Sequence, residues 1–155
     1  MNFGALHAGD AAIRLLAAVA VGGIVGLNRW LHHKPAGFGT HGLVSLGAAL
    51  ATAIAMRAPA ADAAAVSRVI QGLVTGVGFI GAGVIMRADA NREVHGLTTA
   101  ASVWTSAILG IACGVSDFTI VGIGVVLAFV VLVLSKPLED LVGRLFKRGP
   151  DEIPH

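Results

Sequence analysis

VIQGLVTGVGFIGAGVIM, Val69 to Met86, carries no charged side chain, holds five glycines, and is fenced by Arg68 and Arg87. At 1.5 Å per residue, a helix of this length reaches about 27 Å, close to the hydrocarbon thickness of a bilayer. A water-soluble core helix would show an apolar stripe and a polar face; here the only polar side chains are Gln71 and Thr75. The stretch reads as a membrane span. Gly76, Gly78 and Gly81 also spell G-x-G-x-x-G, the phosphate-cradling fingerprint of dinucleotide-binding folds. That fingerprint needs a preceding strand, a following helix and an acidic residue about 20 positions on, whereas Asp89 and Glu93 come too early and no strand-helix alternation surrounds them. Close helix packing explains the glycines better, through Gly72, Gly76, Gly78, Gly81 and Gly83. On that reading the span lies inside a helix bundle.

Working outward, charges fence four further apolar segments: Ala11 to Leu27, Gly42 to Met56, Gly96 to Ser116, and Phe118 to Ser135. Over the whole chain 55% of residues are hydrophobic and 13% charged, with a mean hydropathy of +0.82. A soluble domain carries about twice that share of charge. The expectation is an all-α polytopic membrane protein of five transmembrane helices, with residues 1–135 as one membrane domain. Only 20 residues follow the last span, too few for a soluble domain of about 50 or more. In this tail, 136–155, Leu138, Leu141, Val142, Leu145 and Phe146 share one helical face, with Pro137 near the start and Arg144, Lys147 and Arg148 at the end. This predicts a short amphipathic helix on the cytoplasmic surface, or a plain extension of the fifth span.

Orientation follows from the basic residues. With the N-terminus outside, the cytoplasmic side holds Arg29, Lys34, Arg87, Arg92, Lys136, Arg144, Lys147 and Arg148, and the other side only Arg14, Arg57 and Arg68. Ala18-Val19-Ala20 resembles a signal-peptidase site, but Arg14 is the only basic residue before it and sits inside the apolar run. The net charge of +2 comes from residues between and beyond the spans and does not imply nucleic-acid binding. The lone Cys113 can form no internal disulfide and reads as buried filler.

Gly22 and Gly26, with Ala18, make a second small-residue ridge, suited to packing on the glycine helix. The second span is short, about 23 Å, so Thr40 and His41 are expected to form its first turn inside the membrane boundary. At Gly96-Leu97-Thr98-Thr99 a threonine can cap the fourth helix. His41 is either a proton-sensitive group or an interfacial histidine bonded to backbone. Thr98, Thr99 and Ser102 either line a polar cavity or only cap and bond neighbouring helices. Arg29 and Arg87 mark the cytoplasmic boundary, and Arg68 can pair with Asp62 across a turn. His32 and His33 are adjacent and do not share a helix face, which argues against a metal site. No catalytic, cofactor-binding or metal-ligating set emerges, because the sequence offers no nucleophile-base pair or metal-ligand cluster.

Three stretches carry a resemblance: Ala36 to Val44, AGFGTHGLV; Gly76 to Ile85, GVGFIGAGVI; and Gly96 to Trp104, GLTTAASVW. Together they resemble the MgtC/SapB membrane protein family, over a region from about Gly22 to Gly114. The resemblance implies five spans in the bacterial inner membrane. Many members add a soluble C-terminal domain, and this sequence reads as a short form without it. Members are linked to growth at low magnesium and are often described as magnesium transporters. The better-supported view of the family is regulatory, through contact with other membrane proteins, including the proton-conducting part of the ATP synthase, and through ion or phosphate handling. By motif, the polar positions carried over are Asn28, Arg29, Thr40, His41, Asp62, Arg68, Thr98, Thr99 and Ser102. The family usually has Glu-Arg where this chain has Asn28-Arg29, and Arg before the Thr-His pair where it has Gly39; the two charges are read as partners lost together. The expected partners are the lipid bilayer and another membrane protein or a second copy. The rival reading is an ion transporter or channel, disfavoured for magnesium because no carboxylate lies well inside a span.

Overall fold

The computed structural model describes residues 8–59, 62–85 and 95–146. Five helices follow in order: α1 Ala8–Leu31, α2 Phe38–Arg57, α3 Ala63–Ile85, α4 Leu97–Val115 and α5 Phe118–Phe146. All five are long and apolar enough to cross a membrane, and the described residues form no strand. α2 starts at Phe38, so Thr40 and His41 do fall in its first turn, lengthening the short second span.

The centre of the bundle is α4, packed against α1 and α2, which also pack on each other. Of the most apolar 18 residues in each helix, 56% are buried in α4, against 11% in α3 and 6% in α5. α4 earns this place through a stripe of small and hydroxyl residues: Thr99, Ser102, Ser106, Gly110 and Gly114 recur three or four apart and are all buried. α2 answers with His41, Ser45, Ala48, Ala49 and Thr52, and α1 with Ala18, Gly22, Val25, Gly26 and Arg29. A β-carbon at Gly110 would collide with the Ser45 carbonyl, and one at Gly114 would sit 2.8 Å from the Ala49 carbonyl. The backbones of α4 and α2 are therefore in direct contact. Lipid tails are as apolar as leucine, so packing of small residues, not burial of large ones, holds such helices together. Leu16, Leu43, Ile54, Phe79, Ile123 and Val131 accordingly face outward.

Two expectations are corrected. The glycine-rich α3 is peripheral: only Val77 and Gly81 are buried, and a β-carbon at Gly72, Gly76, Gly78 or Gly83 would meet no atom within 4 Å. An all-apolar surface does not require a central position when lipid solvates any apolar face. The ridge of α1 packs on α2 instead of on α3, with Gly22 against His41 and Ser45, and Gly26 against Gly37 and Phe38. Of the two readings of the tail, the extension of the fifth span is the one observed: among the described residues α5 runs unbroken to Phe146 with Pro137 inside it. Lys147, Arg148, Arg87, Arg92, Asp89 and Glu93 lie outside the described residues.

The α4–α5 corner is made by two residues. Ser116 takes the left-handed conformation, φ 68°, and donates its N–H to the Cys113 carbonyl, while Asp117 donates to Ala112. This pair of bonds is a Schellman stop. The Asp117 carboxylate then accepts the Ile120 N–H at 3.1 Å and starts α5.

Candidate functional site

The polar side chains cluster where α1, α2 and α4 meet. Arg29, in the last turn of α1, is 6% exposed, and its Nη2 donates to Thr99 Oγ1 at 2.9 Å. His41 is fully buried in the first turns of α2. Its Nδ1 lies 2.9 Å from the Gly37 carbonyl and its Nε2 2.9 Å from Ser102 Oγ. Ser102 Oγ is in turn 2.8 Å from the Thr99 carbonyl, which it can serve as a donor. Four of the expected residues, Arg29, His41, Thr99 and Ser102, thus form one chain of contacts across three helices.

The hydrogen-bond arithmetic of this chain is tight. A carbonyl only accepts, so Nδ1 carries a proton toward Gly37. In the neutral imidazole Nε2 must then accept from Ser102, and the single hydroxyl proton of Ser102 is withdrawn from the Thr99 carbonyl. In the imidazolium Nε2 donates to Ser102, and that hydroxyl proton is free for Thr99. One proton on His41 therefore fixes the direction of both bonds. His41 is thus bonded to backbone at Gly37 and to a side chain at Ser102.

The remaining expected residues lie elsewhere. Asn28 is buried beside Arg29, with its Oδ1 unpartnered, while Gly39, on the first turn of α2, is exposed and has open space around it. Thr40 and Thr98 are exposed. Asp62 and Arg68 do not pair; Asp62 Oδ1 accepts the Ala65 N–H at 2.6 Å and caps α3, and Arg68 is exposed. No threonine caps α4. Its N-cap is Gly96, left-handed at φ 92°, and no side chain bonds to it there. A β-carbon at Gly96 would sit 2.8 Å from the Val84 carbonyl. Gly96→Ala is therefore expected to cost about 1–2 kcal/mol, read as a lowered unfolding midpoint in detergent, with Gly47→Ala, which meets open space inside α2, unchanged or slightly raised.

Two features escaped the sequence reading. Arg14 pairs with Asp10 at 2.8 Å and donates to the Gly114 carbonyl, also at 2.8 Å, placing a cation on the C-terminal turn of α4. Ser45, Thr52 and Ser106 are fully buried; Thr52 and Ser106 bond back to carbonyls four residues earlier, of Ala48 and Ser102. Their seven-residue spacings, Ser45 to Thr52 and Thr99 to Ser106, were the available signal. Cys113 is buried in the core, as expected.

Comparison with known proteins places this architecture. The model of the MgtC family matches residues 15–141. The chain belongs to the MgtC family. Similar curated proteins carry the names MgtC and SrpB. Protein MgtC of Brucella abortus is 36% identical over 136 residues, covering 87% of this chain and 56% of the relative. Protein MgtC of Salmonella typhimurium is 40% identical over 106 residues, covering 68% of this chain and 44% of the relative. Protein SrpB of Synechococcus elongatus is 40% identical over 123 residues, covering 72% and 68%. This MgtC-family chain thus spans about half the length of the MgtC relatives it matches. No solved structure matches it.

Proposed function

We propose that this MgtC-family protein sits in the bacterial inner membrane, N-terminus outside, and regulates other membrane proteins by contact within the bilayer. The targets are of the kind the family suggests, the ATP synthase or ion and phosphate handling, in adaptation to low magnesium or stress. One observation carries the reading: the glycine face of α3 at Gly72, Gly76 and Gly83 is open, with backbone accessible for a second helix to approach closely. Within the bundle, Arg29, His41, Thr99 and Ser102 are engaged with one another, which favours a contact protein over an ion path. The proposal includes no catalytic step.

The test is Gly72→Leu, Gly76→Leu in a host grown at low magnesium. Both positions meet open space, so the unfolding midpoint in detergent is expected to stay unchanged or rise slightly. The growth phenotype of the gene should disappear. A variant that keeps the full phenotype sinks the contact reading. Saturable magnesium flux into liposomes holding the purified chain, above empty liposomes, would replace it with transport.

A further inference from the structure

At the end of the bundle where α1 stops and α4 begins, a cavity of about 1090 Å³ opens between α1, α4 and α5. Arg29, Lys34, Thr98 and Thr99 line one side, and Lys136, Glu139 and Asp140 the other. The start of α4 faces this cavity without a side-chain cap, and the first intrahelical bond there is from the Ala100 N–H to the Gly96 carbonyl. The N–H groups of Leu97, Thr98 and Thr99 therefore have no carbonyl of their own helix to bond.

Arg29 supplies an independent indication. It is 94% buried, since only 6% of it is exposed, and its Nε has no partner. No ion pair joins Arg29 to a described residue, so no described carboxylate lies within 4 Å of its guanidinium. A charge buried in a membrane bundle without a counter-ion is costly, and an anion beside it removes that cost. The positive end of α4 and a guanidinium without a counter-ion among the described residues line one cavity, which is the chemistry of an anion site.

The cavity does not end in polar groups. It meets an apolar groove of about 340 Å³, the two sharing Thr98 and Leu132, that runs between α4 and α5 past Ala101, Leu127, Ala128 and Val131. A polar basin joined to an apolar slot has the form of a headgroup with a hydrocarbon chain. On the α5 side, the carboxylates of Glu139 and Asp140 outnumber the ammonium of Lys136, and Pro137 has no N–H to give the Val133 carbonyl, so that wall is net negative with a spare acceptor. We propose that this site binds a phospholipid with an amine headgroup. Its phosphate lies at Arg29 and the start of α4, its ammonium toward Glu139 and Asp140, and one acyl chain in the groove. Free phosphate would share the basin and leave the groove empty.

The test is native mass spectrometry of the full chain released from bilayers of equal phosphatidylethanolamine and phosphatidylglycerol. One phospholipid is expected to stay bound per chain, the ethanolamine form over the glycerol form by about tenfold. Arg29→Gln should lower retention by about tenfold, and so should Ala101→Phe, which fills the groove from an exposed position without touching Arg29. If Arg29→Gln does not fold, Lys34→Gln, at an exposed residue, takes its place beside Ala101→Phe. Retention unchanged in these variants overturns the site. Displacement of the lipid by millimolar inorganic phosphate, with Ala101→Phe without effect, overturns the lipid in favour of free phosphate. Equal retention of both headgroups overturns the assignment of the amine.

Discussion

Gly110→Ala is expected to destabilise the bundle by about 3 kcal/mol, the upper end of what overpacking a core costs. The added methyl would meet the Ser45 carbonyl, carbonyl carbon and Cα, all backbone of α2, so no side-chain rotation relieves it. The helices must separate, and with them the contacts that the α4 stripe makes to α2. Denaturant titration in detergent micelles is the measurement. Gly76→Ala on α3 is the control: it meets open space, and a glycine replaced in a helix interior gains up to about 1 kcal/mol in propensity. Equal losses at the two positions would mean that α4 is not the helix on which the bundle is built.

The second large effect is expected at His41. It is the largest fully buried side chain, and its truncation to alanine removes its packing together with its bonds to Gly37 and Ser102. A cost of about 2–4 kcal/mol follows from cavity formation plus lost hydrogen bonds. Thr40→Ala, one residue earlier and exposed, should stay within about 0.5 kcal/mol. A double-mutant cycle of His41→Ala with Ser102→Ala separates volume from bonding. Its coupling energy should fall near 1 kcal/mol, the scale found for side-chain hydrogen bonds between membrane helices. No coupling would remove Ser102 from the network.

The five spans were legible because charged residues fence them and because apolar runs of this length have one physical use. Arg29, His41, Thr99 and Ser102 were legible too, as polar groups at the ends of such runs. What could not be read was which helix lies at the centre. Gly72 and Gly76 permit close approach without saying what approaches, and in lipid an apolar helix is equally at home inside or outside. The stripe from Thr99 to Gly114 held the better signal, since hydroxyl groups need partners that lipid cannot offer. The continuation of α5 through Pro137 stayed one of two readings for a different reason. Proline forfeits one bond to Val133 and bends a helix more readily than it ends one where the freed carbonyl borders a polar cavity.

The interior faces of α1, α2 and α4 are built mainly from glycine, alanine, valine and hydroxyl residues, and apart from buried Leu109 and Ile111 their leucine, isoleucine and phenylalanine side chains look mostly outward. Divergence among chains of this architecture is therefore constrained by two different rules. An inner position such as Ser45 can exchange for another small residue whether or not it is polar, while Gly22, where any β-carbon would collide with the His41 carbonyl, can exchange for none. An outer one such as Leu43 or Phe79 can change size freely so long as it remains greasy. The inside is selected by volume and the outside by solubility in hydrocarbon, the reverse of the pressures on a protein folded in water.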